Sequence, residues 1–137
     1  MNVFIADNSK VIQERLIDIL SEFKEIKIIG QSQNITEAVE SIQRLKPDIV
    51  IMDVHMPKGS GIEALQTIKK RNLASIVIMF TYDYYSQYRK RCMEAGADFF
   101  FDKSNEFEEI GKLFKKLIND SYEHHDSKKK IISNQAD

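Results

Sequence analysis

The sequence predicts an α/β domain in which helices cover both faces of a five-stranded parallel sheet. Two observations support this prediction. Five short apolar runs recur along the chain, and longer stretches with the 3.6-residue apolar spacing of helices separate them. Strands and helices that alternate in this way form a parallel sheet, because a crossover between neighbouring parallel strands needs a helix.

The five apolar runs are the predicted strands. They are NVFIA, KIIG, DIVIM, SIVIMF and DFFF, and they begin at Asn2, Lys27, Asp48, Ser75 and Asp98. Several carry β-branched or aromatic residues at both alternating positions, which is typical of strands buried on both faces. We therefore expect helices on both sides of the sheet.

The stretches after the strands are the predicted helices. Four of them place apolar residues on one stripe of a helix. The stripes are Val11, Ile12, Leu16, Ile19, Leu20 and Phe23; Ala38, Ile42 and Leu45; Ile62, Leu65 and Ile68; and Phe107, Ile110, Leu113, Phe114 and Leu117. The segment from Ser86 to Ala95 is the least apolar, so its helix should be the most exposed. Asn34 and Asn105 are predicted N-caps, and Gly96 is a predicted helix stop.

Five such strand–helix units correspond to a flavodoxin-like, doubly wound (βα)5 domain with strand order 2-1-3-4-5. A chain of 137 residues forms one such domain, so we expect function from one site or one surface. Its 20 Lys and Arg residues nearly balance its 21 Asp and Glu residues, which argues against direct nucleic-acid or membrane binding. The single cysteine, Cys92, cannot form an intramolecular disulfide, and the N-terminus lacks the apolar stretch of a signal peptide. We expect a cytoplasmic protein.

Polar side chains follow four of the five predicted strands. Asp7 and Asn8 follow the first strand, Asp53 the third, Thr81 the fourth and Lys103 the fifth. Because the carboxyl ends of parallel strands meet at one edge of the sheet, these side chains should lie close together.

These residue types suit a phosphoryl group and a metal ion. Two carboxylates brought close repel each other, and a divalent cation relieves that repulsion. Mg²⁺ takes few protein ligands and keeps waters and phosphoryl oxygens for the rest of its shell. The carboxylate of Asp53 can attack phosphorus, while Lys103 and Thr81 can bind the phosphoryl oxygens.

Four stretches in order resemble the receiver domains of two-component response regulators, as in a chemotaxis regulator. They are VFIADNS, DIVIMDVHMPKGSGIEAL, IVIMFT and CMEAGADFFFDKS. The resemblance covers roughly residues 1–120. We expect a receiver domain over 1–121, followed by a flexible tail over 122–137 because that end of the chain is polar and carries lysines.

The resemblance also implies the role of each site residue. Asp53 is the expected phosphoacceptor, Lys103 the phosphate-binding lysine, and Thr81 the hydroxyl that moves toward the phosphoryl group. Asp7 and Asn8 stand where receivers carry their metal-binding acidic pair. The family pattern adds two further expectations: the backbone carbonyl of His55 completes the Mg²⁺ shell, and Phe100 is the aromatic side chain that swings inward when Thr81 moves.

Three residues depart from the family pattern. Receivers usually have a second acid where this chain has Asn8, so we expect weaker Mg²⁺ binding. The lysine is commonly followed by proline, whereas here Ser104 follows it, which puts the usual cis peptide bond in doubt. Tyr82 stands where a small residue is common, and its ring could cover Asp53 and slow phosphate exchange.

The expected function is that of a stand-alone signalling switch. A sensor histidine kinase or a phosphotransfer protein would phosphorylate Asp53, and an output protein of unknown identity would bind the changed face made by the fourth and fifth helices and the fifth strand. The chain is expected to be no enzyme beyond catalysing its own phosphorylation and dephosphorylation. Receivers commonly dimerise, and a homodimer is left open.

Alternatives to this switch come from other classes. Asn8 and Tyr82 suit an interaction module that works without phosphorylation. The chain could also be the N-terminal receiver of a truncated DNA-binding regulator. A flavodoxin-like enzyme or cofactor binder is disfavoured, because no glycine-rich phosphate loop follows the first strand, where ADNSK stands.

Overall fold

A five-stranded parallel sheet forms the centre of the computed structural model, which describes residues 1–83 and 87–136, with side chains as far as Tyr122. In chain order the strands are β1 (Asn2–Ala6), β2 (Lys27–Ser32), β3 (Ile49–Met52), β4 (His55–Met56), β5 (Gly59–Ser60), β6 (Ile76–Thr81) and β7 (Phe99–Asp102). The large sheet has the order β2-β1-β3-β6-β7, and β4 pairs with β5 in a separate two-stranded hairpin. Without that hairpin the order is the predicted 2-1-3-4-5, so the predicted fold class is confirmed.

Among the described residues, four helices connect strands of the large sheet and a fifth follows β7. They are α1 (Lys10–Leu20), α2 (Ile35–Leu45), α3 (Gly61–Lys70), α4 (Gln87–Glu94) and α5 (Phe107–Ala136). The Asn34 side chain accepts a hydrogen bond of 2.9 Å from the N–H of Glu37, so this predicted N-cap is confirmed. Gly96 follows α4 with a φ of 106°, a left-handed conformation that favours glycine, so the predicted helix stop is also confirmed.

One predicted helix start is wrong. The helix α5 begins at Phe107, two residues after the predicted N-cap Asn105. The carboxylate of Glu106 points back instead and accepts a hydrogen bond of 3.0 Å from the N–H of Asp102. The end of β7 and the start of α5 are therefore joined through Glu106.

Apolar side chains fill the space on both sides of the sheet. On one side, Phe4, Met52 and Met79 belong to a buried cluster shared with α2, α3 and α4. On the other side, Ile5 and Phe80 belong to a cluster shared with α1 and α5. Every residue of β3 is buried, as expected for a central strand with both faces covered. The hydrophobic effect thus fixes the central strands and the side chains that follow them.

Exposure along the helices corrects the predicted stripes at Val11 and Leu45. Val11 is 72% exposed, because at 3.6 residues per turn it lies about 140° around the helix from the buried Leu16. Leu45 is 37% exposed at the last turn of α2. The prediction that the fourth helix is the most exposed agrees with α4, in which Cys92 is the buried residue among those described.

The segment predicted as a flexible tail, 122–137, is part of α5 as far as Ala136. Its side chains beyond Tyr122 lie outside the described residues, and its flexibility stays a prediction. In the part of the chain that the structure describes, no helix combines the length and apolar character needed to cross a membrane.

Candidate functional site

The ends of four strands meet at one edge of the sheet and carry the predicted polar residues. Asp7 follows β1, Asp53 follows β3, Thr81 ends β6, and Lys103 lies one residue beyond β7. All four side chains are buried. The buried strands hold these side chains in place. A reaction at this edge of the sheet would therefore cost little further loss of side-chain conformational freedom.

The carboxylate of Asp53 is held by three hydrogen bonds. Its Oδ1 accepts one of 2.7 Å from the Thr81 hydroxyl and one of 3.1 Å from the backbone N–H of His55. Its Oδ2 accepts one of 2.9 Å from the ammonium group of Lys103. The carboxylate therefore faces donors that could also bind the oxygens of a phosphoryl group.

The Lys103 ammonium bridges two buried carboxylates. Its Nζ lies 2.7 Å from Oδ2 of Asp7 and 2.9 Å from Oδ2 of Asp53, and the lysine side chain is 3% exposed. Burial alone lowers the pKa of Lys103, but the charges and hydrogen bonds of Asp53 and Asp7 outweigh burial and raise it above its usual range. Lys103 is therefore held in its charged form.

Asp7 is the least solvated carboxylate of the site. Burial raises its pKa above the usual range, although the neighbouring Lys103 ammonium opposes the rise. Its Oδ1 accepts a hydrogen bond of 2.8 Å from the N–H of Ser9. A cation bound beside Asp7 would therefore stabilise the ionised form of this carboxylate.

Gln13 supports the site and is not among the site residues predicted from the sequence. Its buried amide nitrogen donates to the backbone carbonyls of Asp7, at 2.8 Å, and of Ser32, at 2.9 Å. These bonds join the ends of β1 and β2. The signal was present, since Gln13 is a polar residue on the same buried stripe as Leu16 and Leu20.

A cavity of about 180 Å³ opens beside the Asp53 carboxylate. Its lining residues are Asp7, Asn8, Ser9, Asp53, His55, Thr81, Tyr82 and Lys103. The cavity thus gathers six of the seven predicted site residues. Tyr82 is 38% exposed, and its ring centroid lies 5.5 Å from the Lys103 Nζ, so the ring flanks the cavity. That it covers Asp53 and slows phosphate exchange stays a prediction.

The oxygen atoms that line the cavity are of the type that coordinates Mg²⁺. Two carboxylates, an amide and a backbone carbonyl are hard oxygen ligands, which this ion prefers. Among the described residues no group of three or more His, Cys, Asp or Glu side chains is placed to hold a metal. A cation here would therefore depend on neutral oxygens, from Asn8, His55 and water, for much of its shell.

Phe100 is the predicted site residue that lies away from the cavity. It is 4% exposed and belongs to the cluster beneath α2, α3 and α4. Its ring is therefore already inward while the Thr81 hydroxyl donates to Asp53. A swing of this ring stays a prediction.

The turn that carries Lys103 is organised by Asp102, another residue that is not among those predicted from the sequence. Its Oδ1 accepts hydrogen bonds from the N–H of Ser104, at 3.0 Å, and from the Ser104 hydroxyl. Burial alone raises the pKa of the Asp102 carboxyl, but the hydrogen bonds from Ser104, together with one from the Asp83 N–H and the charge of Arg89, outweigh burial and hold the pKa below its usual range. An aspartate two residues before a serine is a sequence signal for this turn.

The peptide bond between Lys103 and Ser104 is trans, as are all the described peptide bonds.

Cys92 is expected to react slowly while the protein is folded. It is fully buried, and burial raises the pKa of its thiol to about 11 from an ordinary 9.0. Because the thiolate is the nucleophile, a two-unit rise lowers the reactive fraction about a hundredfold near pH 8. Iodoacetamide labelling followed by intact mass should therefore be at least about a hundredfold slower in buffer than in denaturant. Equal rates would contradict this burial.

Comparisons with known proteins agree with this geometry. A family model described as the response regulator receiver domain matches residues 3–115. A response regulatory protein of Vibrio cholerae is 30% identical over 118 residues, which are 86% of this chain and 48% of that protein. A protein-glutamate methylesterase/protein-glutamine glutaminase of Idiomarina loihiensis is 34% identical over 113 residues, 82% of this chain and 29% of that protein.

A solved structure shares the fold over most of this chain. The crystal structure of the response regulator domain of Thermotoga maritima CheB has a TM-score of 0.76 and 28% identity, and the match covers 88% of this chain and 94% of that one. This chain spans about half or less of the length of the two curated relatives named above. The family model, these relatives and the cluster at the strand ends lead to one conclusion: the chain belongs to the response regulator receiver domains, which serve phosphorelay signalling in two-component systems.

Proposed function

We propose that this receiver domain accepts a phosphoryl group on Asp53 in a Mg²⁺-dependent reaction and that the phosphate switches a protein-binding face. One observation carries the proposal. The buried Asp53 carboxylate opens onto a cavity while the Thr81 hydroxyl and the Lys103 ammonium both donate to it. A merely structural aspartate has no need of a cavity beside its carboxylate.

The proposed donor is the phosphohistidine of a sensor histidine kinase or of a phosphotransfer protein. A carboxylate oxygen of Asp53 forms the new bond to phosphorus while the donor's P–N bond breaks. The electron pair of that bond returns to the imidazole nitrogen, which is protonated from solvent. Lys103 and Thr81 then turn their donors from the carboxylate to the transferred phosphoryl oxygens.

The residues that would hold Mg²⁺ are Asp7, Asp53, the Asn8 amide and the carbonyl of His55. The chemistry the ion supplies when bound is positive charge against the phosphoryl oxygens. The Asn8 amide oxygen brings no charge, so affinity for the ion should be lower than in a receiver with two acids before its first helix.

The proposed output is a change of the face formed by α4, β7 and α5. Thr81 ends β6 and pairs with Asp102 of β7, so a shift of the Thr81 hydroxyl toward a phosphoryl group acts directly on the neighbouring strand. A partner protein that binds one form of this face better than the other would convert phosphorylation into a signal.

Phosphorylation of wild type and of Asp53→Asn tests the proposal. Incubation with acetyl phosphate and Mg²⁺ should add the mass of one phosphoryl group to wild type and none to the variant. Asp18→Asn, an exposed aspartate on α1, is the matched control and should be phosphorylated like wild type. The proposal fails if wild type stays unmodified by both acetyl phosphate and a phosphorylated histidine donor, or if Asp53→Asn is modified equally.

A module that works without phosphorylation is the second candidate. The Asn8 amide and the Tyr82 ring at the cavity favour it, because the amide brings no charge to the metal site and the ring flanks the cavity beside Asp53. Amide chemical shifts measured during a Mg²⁺ titration separate the two functions. Saturation in the millimolar range supports the switch, whereas unchanged shifts around Asp7 and Asp53 favour the module. An output through a DNA-binding region outside this chain stays a prediction.

A further inference from the structure

Arg89 of α4 makes two contacts with Phe100 of β7. Its guanidinium carbon lies 4.7 Å from the centroid of the Phe100 ring. Its Nη1 donates a hydrogen bond of 3.1 Å to the Phe100 carbonyl oxygen. The Arg89 side chain is 47% exposed, whereas Phe100 is 4% exposed, so the guanidinium lies at the surface against a ring that is buried.

Glu106 extends this contact to the turn that carries Lys103. Its Oε1 accepts hydrogen bonds from Nη2 of Arg89, at 2.5 Å, and from the N–H of Asp102, at 3.0 Å. Asp102 immediately precedes Lys103. We name this set of residues, Arg89, Phe100, Asp102 and Glu106, the Arg89 network.

The chemistry of the network requires arginine in particular. A surface ion pair such as Arg89–Glu106 contributes little by itself. A planar guanidinium, however, can stack on a ring and at the same time direct separate N–H groups at a carbonyl and a carboxylate. A lysine ammonium is a point charge and cannot satisfy all three partners at once.

We propose that Arg89 is a positioning residue that holds Phe100 inward before Asp53 is phosphorylated. The proposal rests on the proposed function, in which phosphorylation changes the α4–β7–α5 face. We call the form with a buried Phe100 ring the inward form and the form with an exposed ring the outward form. With Arg89 in place, the unphosphorylated chain already populates the inward form, so phosphorylation changes the Phe100 part of that face little. Loss of Arg89 shifts the population toward the outward form and makes the position of the ring depend on phosphorylation.

A fluorescent reporter tests the proposal directly. The chain contains no tryptophan, so Phe100→Trp introduces a single reporter at the position of interest. Without a phosphodonor, this reporter should be blue-shifted and poorly quenched by acrylamide. Adding Arg89→Met should shift the inward-to-outward ratio by roughly fivefold to thirtyfold, seen as a red shift and stronger quenching. Arg89→Lys should restore the parent values only in part.

Lys90→Met is the matched control, because Lys90 is an exposed neighbour on the same helix. It should leave the emission unchanged. Hydrogen exchange in chains that keep Phe100 provides a second measurement, since a tryptophan ring could be held inward by its own size. Arg89→Met should speed exchange of the Asp102 amide, whose acceptor Glu106 has lost its partner.

Three results decide the outcome. Unchanged emission together with unchanged Asp102 exchange in Arg89→Met overturns the proposal, because packing alone would then hold the ring. An outward shift without phosphodonor that reverses when acetyl phosphate modifies Asp53 supports both the network and the switch. An outward shift in a chain that acetyl phosphate and a phosphohistidine donor both fail to modify supports the positioning role of Arg89 and refutes the proposed function.

Discussion

Replacement of Lys103 by methionine is expected to lower the free energy of unfolding by about 3–5 kcal/mol near neutral pH. The ammonium lies 2.7 Å from an oxygen of Asp7 and 2.9 Å from one of Asp53, and all three side chains are at least 93% buried. Without the cation, two buried carboxylates repel each other and lose their charged partner. Urea unfolding monitored by circular dichroism measures the loss.

Two further variants show whether the cost comes from charge. Lys112→Met removes a lysine whose side chain is 70% exposed and paired with Glu109, so its effect should be below about 0.5 kcal/mol. Asp7→Asn added to Lys103→Met should recover part of the lost stability, because it removes one of the repelling charges. If the double variant were no more stable than Lys103→Met, lost packing rather than lost charge would be the cause.

Alkaline pH should narrow the difference between wild type and Lys103→Met. The pKa of Lys103 is raised in the folded protein above the 10.5 of the unfolded chain. The stability that its charge contributes is therefore fully present below pH 10.5 and is lost as the pH rises through the folded-state pKa. Unfolding curves of both proteins from pH 8 upward should converge above about pH 10.5. A constant difference would contradict the raised pKa.

Replacement of Gly61 by alanine is expected to destabilise the protein by about 3 kcal/mol or more and to impair phosphorylation of Asp53. A Cβ at Gly61 would lie 2.2 Å from the carbonyl oxygen of Asp53 and 2.7 Å from the Cα of Val54. Both atoms belong to the backbone and cannot rotate away. The loop after β3 must therefore move, and Asp53, the proposed phosphoacceptor, moves with it. Urea unfolding and the rate of acetyl phosphate labelling measure the two effects.

Gly111→Ala is the matched control for this steric argument. Gly111 lies within α5, and a Cβ there would meet the Ile19 Cγ2 at 3.5 Å, an ordinary contact. Alanine in a helix interior is favoured over glycine by roughly 0.5–1 kcal/mol, so this variant should be slightly more stable than wild type. Similar losses in both variants would refute a specific clash at Gly61.

The fold and most of the site could be predicted from local patterns. The runs before Asp53 and Lys103 are apolar at both alternating positions, which predicts buried strands, and parallel strands bring their carboxyl ends to one edge. The structure confirms the clustering, since Asp7, Asp53, Thr81 and Lys103 are joined by direct hydrogen bonds or ion pairs. Their roles in phosphoryl transfer stay predictions.

Helix patterns predicted exposure less well. Val11 belongs to the predicted buried stripe of α1, yet it is 72% exposed, while the polar Gln13 is buried beneath the site. Helical spacing shows which residues share a side of a helix, but it leaves open how far the covered side extends around the helix. The width of the buried face depends on the elements that pack against the helix. In α1 the buried face includes Gln13, which hydrogen-bonds to the ends of two strands.

The sequence by itself determined the five-stranded sheet, its order and the polar residues at its carboxyl edge, because apolar periodicity and strand–helix alternation are properties of neighbouring residues. Only the tertiary structure decided that Phe100 lies inward beneath Arg89 and that Glu106 joins Arg89 to the end of β7. The contacts of Arg89 with Phe100 and Glu106 join residues 11 and 17 positions apart, on elements brought together by packing against the sheet. No local period of the sequence specifies them.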